Sequence, residues 1–164
     1  VALRQFVHIP KTGGSALRQA LGYLDLDMRY PGHRYPISAF PKEDEVITIV
    51  RDPVDRFVSA FWHARPMGWE SPEPFALAMP DYHMDLLVFR PQVAWIDSDR
   101  PLLWVGHTET LEADFERLRP MFRRGCAPLL PRPPAHYPPP DLSQQALDNI
   151  RDYYADDYAL LARL

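Results

Sequence analysis

Lys11, Thr12, Gly13, Gly14 and Ser15 combine one cation, two hydroxyls and two residues without a β-carbon. At the start of a helix such a set suits a phosphate or sulfate. Backbone N–H groups there point outward unpaired, and the helix dipole adds partial positive charge. Glycine lets the main chain come close to the anion, and Lys11 contributes a full charge. Further along, Arg51 and Ser59 offer a second set: a forked guanidinium matched to phosphate oxygens, and a hydroxyl to complete the cage. Taken singly, each set has a plainer reading. The first is then a capped turn with an exposed lysine. In the second, Arg51 pairs with Asp52 or Asp55 and Ser59 is a small helix-packing residue. Two such sets in one chain, each following a strand pattern, are more specific than either alone.

The elements that must position these residues can be read from the apolar spacing. Residues 5–9 form a short β-prone run with Phe6, Val7 and Ile9, closed by Pro10. Ala16, Leu17, Ala20, Leu21 and Leu24 then fall on one helical face. Residues 46–50 are apolar on both faces, as in a central strand of a parallel sheet. Asp52-Pro53 is a helix-start pair, an N-cap followed by proline at the first helical position, and Val54, Phe57, Val58 and Phe61 carry that helix onward. Residues 101–105 predict a third strand, followed by a helix with Leu111, Phe115 and Leu118 capped by Thr108 or Thr110 and interrupted at Pro120. Residues 66–80, with four prolines, predict irregular chain, as do residues 127–140, with seven. Ser143 predicts the cap of a last helix with Leu147, Ile150, Tyr154 and Leu161 along one side. Strands alternating with helices predict one three-layer α/β domain over residues 1–164, built on a mainly parallel sheet. Ligands of such folds bind beyond the carboxyl ends of the strands, where both polar sets lie.

Composition narrows the classes. The 164 residues are 46% apolar and 24% charged, enough to bury a core. A net charge of −4 argues against generic nucleic-acid binding. The single cysteine, Cys126, excludes an intrachain disulfide framework and a multi-thiolate zinc site. No apolar stretch reaches the length of a membrane span. Nineteen prolines in 164 residues, against a usual level of about 5%, predict stiff loops. The glycine turn is not a Walker A loop, in which the lysine follows the glycines and stands beside the Mg²⁺-binding hydroxyl; here Lys11 precedes them.

With these motifs in view, the sequence resembles PAPS-dependent sulfotransferases, in particular the carbohydrate group that includes heparan-sulfate 2-O-sulfotransferase. Phe6-Val-His-Ile-Pro-Lys-Thr-Gly-Gly-Ser15 looks like that family's 5′-phosphosulfate loop, and Val50-Arg-Asp-Pro-Val-Asp-Arg-Phe-Val-Ser59 like its 3′-phosphate motif. Supporting landmarks follow in order: Phe89-Arg-Pro-Gln92, Val105-Gly106 with Glu109-Thr-Leu-Glu-Ala-Asp-Phe115, and Tyr153-Tyr-Ala-Asp-Asp-Tyr158. The resemblance implies a P-loop-like strand–turn–helix unit in which Lys11, Thr12, Gly13, Gly14 and Ser15 bind the 5′-phosphosulfate. It assigns the 3′-phosphate to Arg51 and Ser59. Lys11 would also stabilise the departing phosphate, with no metal required. The implied activity moves a sulfuryl group from PAPS to an acceptor hydroxyl, of carbohydrate in the first instance, releasing PAP.

An attacking hydroxyl must lose its proton, so a base of near-neutral pKa is needed. Tyr30-Pro-Gly-His33-Arg-Tyr35 resembles the segment carrying the catalytic histidine of 2-O-sulfotransferases, which makes His33 the expected base. Among the six histidines, His63 and His107 are the alternatives, and His8 reads as packed beside the loop. His83 and His136 have no argument for them. Glu109 and Asp114 read as capping and solvated helix contacts rather than catalytic groups. The chain departs from the family in length, in showing no membrane anchor, and in residues 127–140, where a basic, asparagine-containing stretch would be expected; Arg132 is the candidate substitute there. The expectation is a soluble, cytoplasmic, bacterial-type protein. The tryptophans Trp62, Trp69, Trp95 and Trp104 read either as core or as stacking faces for a sugar. Two rival readings stay open: a non-catalytic nucleotide- or glycan-binding relative, and a P-loop-like nucleotide phosphotransferase.

Overall fold

The structure is a computed structural model describing residues 3–21, 28–29 (backbone only), 32–81, 86–96, 99–122, 127–129, 137 and 140–164. Leu24, His83, Cys126, Arg132, His136 and most of the proline-rich stretch 127–140 lie outside the described residues. The chain divides into two compact units, one of Val1–Arg51 with Ala94–Pro133, the other of Asp52–Val93 with Pro134–Leu164.

The first unit is α/β. Its strands are β1 (Arg4–Val7), β2 (Met28–Arg29), β3 (Glu45–Val50) and β4 (Trp104–His107), in the order β2-β1-β3-β4. Every pairing is parallel, with Val7 opposite Thr48 and Val50 opposite His107. The β-branched run of β3 occupies a central position, and all of its residues after Glu45 are buried. Helices α1 (Gly14–Leu21) and α5 (Leu111–Leu118) bury Leu17, Ala20, Leu21, Phe115 and Leu118 against Phe6, Ile47, Ile49 and Trp104. At the amino edge Asp44 ties β1 down, accepting from Leu3 N–H at 2.9 Å and from the buried Gln5 amide at 2.6 Å. Arg100 donates to the Asp44 and Phe40 carbonyls. One edge is thus stapled, and the loops after β1 and β3 leave from the other.

The third strand lies later than the sequence pattern predicts, at 104–107 rather than 101–105. Trp104 and Gly106 share one face of it, and a β-carbon on Gly106 would come within 2.3 Å of the Trp104 indole. The bulky ring therefore needs the bare position two residues on. The first helix likewise starts two residues earlier than expected, at Gly14.

The second unit is helical, with α2 (Pro53–Ala64), α3 (Pro72–Ala78), α6 (Gln144–Tyr153) and α7 (Ala155–Leu161). A four-residue helix, α4 (Val93–Ile96), contains the chain boundary between the units. Helix α3 corrects the expectation of irregular chain over 66–80. Its prolines stand in the first turn, where a missing N–H costs nothing, and Phe75 and Ala76 are drawn into a core of Phe57, Phe61, Phe89, Ile150 and Tyr154. The final helix is two helices. It breaks at Tyr154, whose buried hydroxyl donates to the Phe89 carbonyl at 2.7 Å.

This core also holds a polar cluster that the spacing gave no reason to expect. Arg56 is fully buried, its guanidinium donating to the Val88 and Arg90 carbonyls and lying 5.2 Å over the Tyr154 ring. Asp157, also buried, accepts from Val93 N–H at 2.9 Å. The sequence landmarks around Phe89–Gln92 and Tyr153–Tyr158 are thereby joined through Arg56 and Asp157. No helix among the described residues is long and apolar enough to cross a membrane.

Candidate functional site

Because β1 and β3 are parallel neighbours, the chain leaves both at the same edge. The loop after β1 carries Lys11, and Arg51 follows β3 directly. Arg51 Nη1 donates to the Lys11 carbonyl at 3.2 Å, so the cation of one motif secures the backbone of the other. The third member of the edge is Thr108, just past β4. Its hydroxyl lies 2.6 Å from the Thr12 carbonyl and 3.0 Å from that of Val50, and its single proton can serve only one of them at a time. Three strand ends are stitched together at one turn.

Within that turn Lys11 has a left-handed backbone, φ 67°, and Gly13 follows at φ 89°. The turn explains Gly13, since a side chain at that φ is strained. Gly14 has a different reason. A β-carbon there would meet the His8 ring at 2.3 Å, so its bareness makes room for an imidazole of β1's own extension. Thr12 is buried and its hydroxyl donates to the Ile9 carbonyl at 2.9 Å, closing the turn from inside. Ser15 is exposed in the first turn of α1. Burial, and secondarily the charge of Arg51, hold the Lys11 ammonium below its ordinary pKa. Two cations gathered at one edge repel each other.

His33 comes to this turn through His8. The two rings lie 3.9 Å apart, centroid to centroid, tilted by 51°. His33 Nδ1 is 3.1 Å from the His8 carbonyl oxygen, and the Trp95 indole N–H donates to the His33 carbonyl at 2.8 Å. On its other side His8 stacks on Phe6, with centroids 5.2 Å apart. Burial first, then the neighbouring His33 and Arg18, push the His8 imidazole down to about 3, so it is neutral at physiological pH. His8 is thus the packed histidine that its strand position implies. Trp95 is buried beneath the loop, and the spacing gave no hint of its polar role.

His107 ends β4 with its backbone N–H on Asp114 Oδ2 at 2.7 Å and its Nδ1 3.4 Å from the same oxygen. Asp114 also accepts from Thr110 Oγ1 at 3.0 Å and from Arg117. Although its burial works the other way, these hydrogen bonds and the Arg117 charge bring its carboxyl below the usual range. Asp114 therefore ties the end of β4 to α5 from a buried position, not from the solvated helix face expected of it.

The second unit carries Ser59 and His63 on α2. Asp52 caps that helix, Oδ1 accepting from Val54 N–H at 2.9 Å and Asp55 N–H at 3.1 Å, and Pro53 stands at its first position. Ser59 is only 9% exposed, on the buried side of α2 with Phe57, Val58 and Ala60. Trp62 stacks on Tyr137, centroids 5.9 Å apart, and Arg65 lies over its ring. Trp69 packs edge-on against Phe75, and Trp104 is core. Among the described residues no group of three or more His, Cys, Asp or Glu side chains is arranged to hold a metal. Compared with family models, curated proteins and solved structures, the chain matches none.

Proposed function

We infer that the protein is a sulfotransferase that moves a sulfuryl group from PAPS to an acceptor hydroxyl, with the carboxyl edge of the sheet as its donor site. One observation carries the reading: the Arg51–Lys11 hydrogen bond, which joins the two motifs that sequence resemblance assigns to the two ends of the nucleotide. The residues suit such a donor. Two cations crowd each other at a turn whose glycine opens the backbone, and an anion relieves that crowding.

When bound, PAPS supplies the sulfuryl group and leaves as PAP. Lys11, with the backbone N–H groups that open α1, neutralises the charge that grows on the departing phosphate oxygen. Such preorganised stabilisation is often the largest part of a catalytic effect. Arg51 and Ser59 are assigned to the 3′-phosphate. Thr12 and the glycines shape the turn, and Ser15 offers its exposed hydroxyl. His33 takes the acceptor's proton as the new S–O bond forms and the old one breaks, its electron pair staying on phosphate. The P-loop-like unit, the three-layer arrangement and a single domain over 1–164 belong to the same reading, as does a carbohydrate acceptor.

Thermal unfolding with PAP, and with ADP with and without Mg²⁺, tests it. At about 100 times its dissociation constant PAP stabilises the fold by about 2.7 kcal/mol, a rise on the order of 5–10 °C. A rise only with ADP and Mg²⁺ moves the protein to the phosphotransferases. A PAP-induced rise without sulfuryl transfer to any of a panel of sugars and phenols leaves a non-catalytic binding relative.

A further inference from the structure

A neutral imidazole has one nitrogen with a proton and one with a lone pair, and only the second can act as a base. The choice is normally open for a loop histidine. At His33 it is closed by the partner of Nδ1. That partner, 3.1 Å away, is the main-chain carbonyl of His8, which has no proton to give. Nδ1 must therefore carry the hydrogen, and the lone pair falls to Nε2. No further hydrogen bond of the His33 ring is made among the described residues.

The hold on this geometry has two ends. The His8 carbonyl belongs to the extension of β1, next to the buried core of the sheet, and is a fixed acceptor. The His33 main chain is tied by the Trp95 indole N–H at 2.8 Å, from a side chain buried in the same unit. Between the two, the His33 ring lies on the His8 ring at 3.9 Å. Burial keeps the His8 ring neutral. As His33 takes a proton, the Nδ1–H bond to the carbonyl becomes charge-assisted and strengthens.

Building on the sulfotransferase reading, we propose that the His8 carbonyl and the Trp95 indole lock His33 as its Nδ1-protonated tautomer, so that Nε2 receives the acceptor's proton. Trp95 is on this account a positioning residue. It touches no reacting atom and acts through the loop that carries the base.

The tautomer is read without any substrate. Long-range ¹H–¹⁵N correlation spectra of the full chain labelled with ¹⁵N-histidine should show His33 with a protonated Nδ1 and a lone-pair Nε2. A proton on Nε2 instead overturns the proposal. Trp95→Phe removes the N–H and keeps an aromatic ring. It should give His33 a mixed tautomer signal and lower kcat by about tenfold, with PAP affinity within about twofold of wild type. Replacing Trp95 by 3-benzothienylalanine, which exchanges N–H for sulfur at nearly constant shape, should repeat the result if Trp95→Phe unfolds. Unchanged His33 signals and kcat in that analogue overturn the positioning role. Failure of the functional reading is separate: it shows as no response to PAP while the His33 spectrum remains as described.

Discussion

Lys11 holds a backbone conformation, φ 67°, that residues with a β-carbon adopt at a cost of about 1–2 kcal/mol. The compensation is local: Arg51 secures its carbonyl, and Thr108 reaches the carbonyl of Thr12 beside it. The turn thus presents an ammonium whose pKa burial and Arg51 have already lowered. Lys11→Ala keeps the turn's hydrogen bonds, which the Thr12, Arg51 and Thr108 side chains donate to main-chain carbonyls, and removes the ammonium. Sulfuryl transfer should fall below detection, while the unfolding midpoint changes little. In the wild type, PAP affinity should also decline as pH rises through the lowered Lys11 pKa, because the cation is lost. That limb should be missing from the Lys11→Ala titration. Normal turnover in the variant would remove Lys11 from the mechanism.

At the scale of elements, α2 shows how much of a boundary two residues can set. Asp52 occupies two of the first orphaned N–H groups, and Pro53 stands where no N–H is needed. Asp52→Ala should cost about 1 kcal/mol, a fall of roughly 2–4 °C in the unfolding midpoint by calorimetry. Asp52→Ser should recover most of it, and a Ser variant as weak as the Ala one would mean the loss is not one of capping. Helix α3 shows the opposite case. Its Pro72 is a legible start, but a seven-residue helix has little stability of its own. Its existence depends on Phe75 entering an aromatic core with Phe57, Phe61 and Phe89. In the same way the Ser143 cap was legible, its hydroxyl accepting from Ala146 N–H at 3.3 Å. The break at Tyr154 was not, because it depends on a hydrogen bond to residue 89.

For the whole molecule, two buried groups respond to acid in opposite directions. The unfolded chain's His8 binds a proton near 6.5, whereas in the folded state burial delays that to about 3. Its unfolded form therefore holds more protons across that interval, and stability is lost as pH falls from about 6.5 toward 3, by about 1.4 kcal/mol per pH unit. Asp157 works the other way. Burial raises its carboxyl pKa, so the cost of keeping it charged is present above that pKa and relieved below it. Urea unfolding followed from pH 7 to pH 4 should show a slope that His8→Gln reduces by about one proton, whatever that variant's stability at pH 7. An unreduced slope would mean that His8 is already protonated in the folded chain.

What the sequence by itself determined is local. The buried run of β3, the amphipathic spacing of α1 and α2, the Asp52-Pro53 and Ser143 starts, and the polar turn after β1 all follow from propensity, periodicity and capping within a few residues. What only the tertiary structure decided is which distant groups meet. Parallel pairing of β1 with β3 brought Arg51 to the Lys11 carbonyl. The turn at 33–34 brought His33 onto His8, and Trp95 was recruited from 62 positions away. Gly14 was legible as a glycine needed for close approach, but the approaching group is the His8 ring. Arg56 and Asp157 have the composition of surface residues, and only the surrounding carbonyls and N–H groups make their burial affordable. A charge is buried where the fold supplies its partners, and those partners lie too far along the chain for spacing to reveal.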